Sequence, residues 1–263
     1  MTERIDSTFS ALRSKDRSAL IPFIMAGDPD LETTGELLKA LPGAGADLIE
    51  IGMPFSDPVA DGPTIQAAGQ RALQTQTTLE NIFKTVKEFR EQNTTTPIIL
   101  MGYYNPIYRY GIDTFCRHAK DAGIDGMIIV DLPPEEEGEF IPFAQHENLC
   151  LIKLITPTSD HTRLKTILKT ASGFVYYVAV AGITGDTSAS YESIQTAISN
   201  IKNQTDLPIA VGFGIKTPDD AKTIGQYADG VVVGSALIQK MTESNNPIQS
   251  AKDFITHLAS ALS

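Results

Sequence analysis

Short apolar runs recur along the chain at intervals that suit alternating strands and helices. Eight have strand length: Ile21–Met25, Asp47–Ile51, Pro97–Met101, Gly126–Val130, Leu149–Ile155, Phe174–Val178, Pro208–Val211 and Gly230–Val233. They are rich in Ile, Val and Leu, as strands covered on both faces should be. Between them, segments such as Leu31–Leu41, Ile82–Phe89, Thr114–Ala122, Arg163–Lys169 and Ile194–Ile201 carry apolar residues at helical spacing. Ahead of the first run, Ile5, Phe9 and Leu12 predict an additional amphipathic helix.

Eight strands alternating with helices predict an α/β fold, a closed parallel (β/α)8 barrel occupying residues 1–263 as a single domain. The alternative is an open doubly wound sheet. That fold usually carries a G-x-G-x-x-G turn after its first strand, where this chain reads Ala26-Gly27-Asp28-Pro29. Gly/Pro clusters follow the strands at Gly52–Pro63, Gly102–Pro106, Gly182–Gly185 and Gly212–Gly214. In a barrel these loops build the active-site face.

Composition narrows the ligand class. Hydrophobic residues make up 42% of the 263 residues, enough for a sizeable core. A net charge of -11 disfavours nucleic acid and acidic membranes. An anionic metabolite would have to be held locally, by backbone N–H groups or a helix N-terminus. No apolar run approaches the roughly 20 residues of a membrane helix, and the first residues lack a signal core, so a cytoplasmic protein is expected. Cys116 and Cys150 make no metal or redox spacing and read as reduced packing residues. The four histidines fall in or beside predicted helices, with no metal cluster, so carboxylates are the expected acid–base groups.

Glu50 stands near the end of the second strand. With Ile49 and Ile51 on the helix side, alternation turns Glu50 and Leu48 into the barrel. A carboxylate there is costly unless paired or functional, and burial would raise its pKa. Asp61, two residues before Pro63, reads either as a helix N-cap or as a site carboxylate. Asp57 before Pro58 reads as a turn residue. Gly212-Phe213-Gly214 and Gly234-Ser235 end the last two strands, where barrels often bind phosphate with a short extra helix. Thr217-Pro218 is a helix start in its own right. The loop Ala181–Ser190 could be a lid or an ordinary long connection. One of Tyr176 and Tyr177 must face the barrel interior. Lys153 could form a Schiff base if it faced inward; an outward Lys153, stem packed and ammonium reaching water, puts Ile152 and Leu154 inside.

The stretch Leu48–Gln66, reading LIEIGMPFSDPVADGPTIQ, is long and particular, and Met101–Pro106 and Asp131–Glu136 add to it. With Ile21–Pro29 and Gly234–Ala236 they make a chain that resembles the tryptophan synthase alpha chain over nearly its whole length. The resemblance implies cleavage of indole-3-glycerol phosphate to indole and glyceraldehyde 3-phosphate, a retro-aldol step without metal or Schiff base. It implies Glu50 as acid–base group, Asp61 as acceptor of the indole N–H, and Tyr176 in support. It places Phe23, Leu100 and Phe213 in the indole pocket and Thr184 among the substrate contacts. Gly185, Gly214, Gly234 and Ser235 would bind phosphate.

By the same resemblance this chain carries no cofactor. Its partner would be a beta chain holding pyridoxal phosphate, in a complex of two alpha chains flanking a beta dimer. The contacts would come from Pro54–Pro58, Asn105-Pro106 and Leu132–Pro134. Val178–Ile183 lacks an Arg that some members carry there, which bears on lid and partner rather than chemistry. The competing readings are another phosphosugar barrel, for example an isomerase or a Schiff-base aldolase acting through Lys153, a non-catalytic subunit, and a stand-alone indole-releasing lyase.

Overall fold

The computed structural model describes residues 3–179, 191–212 and 214–262. Its strands are β1 (Ala19–Met25), β2 (Ile49–Gly52), β3 (Ile98–Gly102), β4 (Gly126–Ile129), β5 (Cys150–Leu151), β6 (Lys153–Ile155), β7 (Val175–Val178), β8 (Ile209–Gly212) and β9 (Gly230–Val233). All pairings are parallel, in the order β5-β4-β3-β2-β1-β9-β8-β7-β6. The predicted fifth strand is broken at Ile152 into β5, which pairs with β4, and β6, which pairs with β7. Because these two halves are one chain segment, the sheet closes on itself as an eight-stranded (β/α)8 barrel.

Alternation along each strand sorts the core into two layers. Ile21, Leu48, Ile99, Ile128, Ile152, Tyr176, Ala210 and Val232 fill the barrel interior. Leu20, Ile24, Ile49, Ile51, Leu100, Val175, Tyr177 and Val211 face the helices. Cys150 belongs to the inner layer and Cys116 to the outer, both as buried packing residues.

The helix Glu3–Arg13 closes the N-terminal end, burying Ile5, Phe9 and Leu12 as its spacing predicts. Phe9 meets Phe174 with ring centroids 5.6 Å apart. At the same end, Asp125 takes hydrogen bonds from Arg4 Nε (2.7 Å), an Arg90 terminal nitrogen (2.9 Å) and the Ile98 N–H (2.9 Å). This end is therefore sealed by packing and charge pairing. The opposite end is where strands stop at glycines and loops rise. Among the described residues, no helix is long and apolar enough to cross a membrane.

Candidate active site

Glu50 lies at the floor of a cavity of about 270 Å³ at the C-terminal ends of the strands. Its neighbours Ile49 and Ile51 pack against the helices, so the pleat turns Glu50 inward, as expected from sequence. It is fully buried, and neither carboxylate oxygen has a hydrogen-bond partner. Burial pushes its pKa up to about 8. A carboxyl group kept neutral at pH 7 can donate a proton, and one unbound by side chains is available to a ligand. Tyr176 turns inward beside it, while Tyr177 joins the outer layer. Burial and then the Glu50 charge raise the Tyr176 phenol well above its usual pKa.

Asp61 lines the same cavity, half-buried. It does not cap the following helix: that helix, Pro63–Gln74, has Gly62 as its N-cap, with no side-chain capping bond. The N-cap reading of Asp61 is thereby removed. Burial raises the Asp61 pKa, and a hydrogen bond with Tyr103 opposes the rise. Tyr103, almost wholly buried, also accepts the Ala60 N–H at its Oη, at 2.9 Å. Next to it, the Tyr104 N–H donates to Asp131 Oδ1 at 2.7 Å. Two successive tyrosines thus tie the loop after β3 to the loops after β2 and β4. Nothing in the sequence pattern marked Tyr103 as a partner of Asp61, because the two meet only when loops 42 residues apart converge.

The other end of the cavity is built from Gly214, Gly234 and Ser235. Gly214 has φ +55°, a backbone that favours glycine, and no atom stands where a Cβ would point. Ser235 begins an eight-residue helix, Ser235–Thr242, capped by Gly234 without a side-chain bond. The first N–H groups of a helix lack internal partners and carry the positive end of its dipole, so this wall suits an anion. The expected cap at Thr217 is present: its hydroxyl and Asp220 form a capping box on the helix Pro218–Gly225. Lys216 also lines the cavity, a cation that the glycine pattern did not single out.

Two expectations are corrected. Leu100 does not line the cavity. It packs in the helix-facing layer, in register with Ile51 and Met127, and Met101 takes the place at the cavity wall. The cause is strand parity: Ile99 lies inside, so the next inward position is Met101. Lys153 does point away from the interior, with Ile152 and Leu154 inside, but its ammonium does not reach water. It is buried and paired with the buried Glu137. Phe23 lines the cavity beside Glu50, with which it is in register. Phe213, Thr184 and Gly185, with the loop Ala181–Ser190, lie outside the described residues.

A closed parallel barrel with a buried acid at its C-terminal mouth and a helix N-terminus on the wall has the layout of a (β/α)8-barrel enzyme. Residues 9–262 match the family model described as tryptophan synthase alpha chain. The chain belongs to that family. It is similar to the tryptophan synthase alpha subunit of Legionella pneumophila str. Paris, at 40% identity and TM-score 0.93, with 98% of each chain covered. It is also similar to a chain of tryptophan synthase from M. tuberculosis in its aminoacrylate-bound form, at 32% identity and TM-score 0.90, with 99% of each chain covered. The protein is a lyase of tryptophan biosynthesis, cleaving indole-3-glycerol phosphate. An alpha chain of this family works with a beta chain, which is the one that holds pyridoxal phosphate.

Proposed function

We propose that Glu50 and Asp61 divide the chemistry of this cleavage. The carbon–carbon bond breaks when the ring carbon C3 gains a proton and the adjoining glycerol hydroxyl loses one, leaving indole and an aldehyde. Glu50 delivers the proton to C3 and takes the hydroxyl proton as the bond opens. Protonating C3 leaves positive charge on the indole ring. Asp61 accepts the ring N–H and stabilises that charge, which a preformed carboxylate does well where water is excluded. Tyr176 packs beside Glu50 and supports it. Phe23 holds the ring, with Phe213, while Gly214, Gly234 and Ser235 hold the phosphate, with Gly185 and Thr184 from the neighbouring loop.

The observation that carries this reading is the state of Glu50: fully buried, with both oxygens unpartnered, on the wall of a cavity it shares with Asp61. A structural carboxylate buried so deeply would be paired. Lys153, turned outward onto Glu137, is badly placed for a Schiff base in that cavity.

Indole is passed to the beta chain, which docks on Pro54–Pro58, Asn105-Pro106 and Leu132–Pro134 in a complex of two alpha and two beta chains. Pro54–Pro58 and Leu132–Pro134 lie on the loops after β2 and β4, and Asn105-Pro106 in the first turn of the helix Tyr104–Tyr110; Tyr103 and Tyr104 tie the three together. Apolar groups stand exposed beside them, Val59 at 85% and Tyr108 at 60%, as on a surface meant to be covered.

The test is indole release from indole-3-glycerol phosphate by the wild-type chain, Glu50→Gln and Asp61→Asn, each with and without a beta chain. Each substitution is expected to lower kcat/KM by about 10²–10⁴. A Glu50→Gln chain that kept most of its activity would refute the assignment.

A further inference from the structure

At the mouth of the barrel one seam lacks backbone pairing. The fourth and fifth strands are in register only as far as Met127 and Leu151, and the last bond between them runs from the Ile152 N–H to the Met127 carbonyl, 2.9 Å. The flanking pairs run further: β3 and β4 are paired up to Gly102 and Ile129, the last residues of both, and β6 and β7 up to Ile155, the last residue of β6. Beyond Ile129, the end of β4, the chain climbs through Asp131–Pro134 into a single 3-10 helix, Pro134–Glu139. A cavity of about 630 Å³ opens along this seam, lined by Ile129, Leu132, Leu154 and Arg163 and reaching Asp61 and Tyr176.

Lys153 and Glu137 meet across that gap. Lys153 lies on β6, Glu137 on the 3-10 helix, and both are buried. Thr170 Oγ1 donates to the second Glu137 oxygen, Oε2, at 2.8 Å. Arg163 and Glu135 pair nearby, but both are substantially exposed, where such pairs contribute little. A buried ion pair rarely stabilises a fold more than apolar residues of the same volume would. What it adds is direction, since an ammonium and a carboxylate with a hydroxyl partner accept one arrangement and penalise others.

We infer that the Lys153–Glu137 pair is a positioning clasp, replacing backbone pairing across the open seam and holding Asp131–Pro134 in the geometry that meets the beta chain. This rests on the docking reading of Leu132–Pro134 given above. From the other side the segment is held by the Tyr104 N–H on Asp131. The clasp thus fixes the end of the segment that Tyr104 does not.

The experiment compares wild type with Lys153→Met/Glu137→Leu, Lys153→Arg and Pro133→Asp, the last an exposed change within the docking segment. Affinity for the purified beta chain is measured by calorimetric titration. The ratio of indole release with and without beta is measured alongside, and melting temperature reports on the fold. The double variant is expected to melt within a few degrees of wild type yet bind beta about tenfold more weakly and lose most of the stimulation. Lys153→Arg, which keeps the pair, is expected to keep both. If the double variant unfolds, Glu137→Gln reports instead, since it keeps the shape and the Thr170 bond; weaker beta binding is again expected. If Pro133→Asp weakens binding while the charge-free variants bind and respond as wild type, the clasp is overturned and the docking reading stands. If Pro133→Asp binds as wild type, the docking reading of this segment fails and the clasp falls with it.

Discussion

Gly212 leaves the room that the phenol of Tyr176 occupies: a Cβ at Gly212 would lie 2.7 Å from Cε1 and 2.8 Å from Cζ of that ring. Gly212 ends β8 and Tyr176 lies on β7, so neighbouring strands share one space at the cavity wall. Gly212→Ala should push the ring toward Glu50 without unfolding the barrel. Misplacing a catalytic neighbourhood by about 1 Å can cost on the order of 10²-fold in rate. Indole release by Gly212→Ala is therefore expected to fall about 10- to 100-fold. Shortening the crowded side chain, in Gly212→Ala/Tyr176→Ser, should recover part of the loss, whereas Tyr176→Ser alone should lower activity. Steady-state kinetics of the two single variants and the double variant check this, and additive losses would count against it.

The pKa of Glu50 makes both rate and stability depend on pH. Its carboxyl is raised from an ordinary 4.5 to about 8 by burial. The proton-donating form is lost as pH rises through about 8, so kcat/KM should decline above that point. Glu50→Gln should show no such limb. In the unfolded chain Glu50 ionises near its ordinary value while the folded protein still holds the proton. Stability should therefore fall as pH rises from about 4.5 to about 8. Glu50→Gln removes that penalty, of the order of a few kcal/mol by the alkaline end of the window. Melting curves at pH 5 and pH 8.5 should show the variant gaining several degrees over wild type at pH 8.5 and little at pH 5.

Tyr103 places a proton where Asp61 can use it. Its hydroxyl accepts the Ala60 N–H, which leaves its own hydrogen for the Asp61 carboxylate. That bond favours the ionised Asp61, while burial disfavours it. Tyr103→Phe should raise the Asp61 pKa further, and Asp61 must be ionised to stabilise a cationic ring. The acid limb of kcat/KM should shift to higher pH, so the loss should be larger at pH 6 than at pH 8. An acid limb that stayed in place would remove Tyr103 from the proton balance of the site.

Asp125 is the counterpart at the closed end of the barrel. It is buried, with Arg4 and Arg90 on its two oxygens. Burial lowers the Arg90 pKa to about 10, against the pull of Asp125. Asp125→Asn leaves two arginines sharing no anion, a change that costs about 3–5 kcal/mol when a buried pair is broken. Melting temperature should drop by roughly 10 °C, yet indole release per folded molecule should hold, because this end is far from the cavity. A selective loss of activity at an unchanged melting temperature would contradict the division of the barrel into a stabilising end and a working end.

The alternation of apolar runs with helical segments was enough to place eight strands and the barrel, because strands buried on both faces have little freedom in composition. Strand parity was enough for Glu50 as well. With Ile49 and Ile51 on either side, only one face could be outward, and the carboxylate had to go in. Parity also decides between Leu100 and Met101, but only once Ile99 is known to lie inside, and three apolar neighbours in a row carry no mark of which faces which.

What the tertiary structure alone decided lies between segments distant in sequence. Asp61 could be a cap or a site residue until the helix was seen to start from Gly62 and Tyr103 to reach across from the next loop. Lys153 faces outward as its neighbours require, yet only the 3-10 helix that returns over it shows that it is buried against Glu137 rather than solvated. A pattern along one strand reports which side of a sheet a residue takes. It cannot report what stands opposite, because that partner is set by loop paths and by where the barrel's pairing stops.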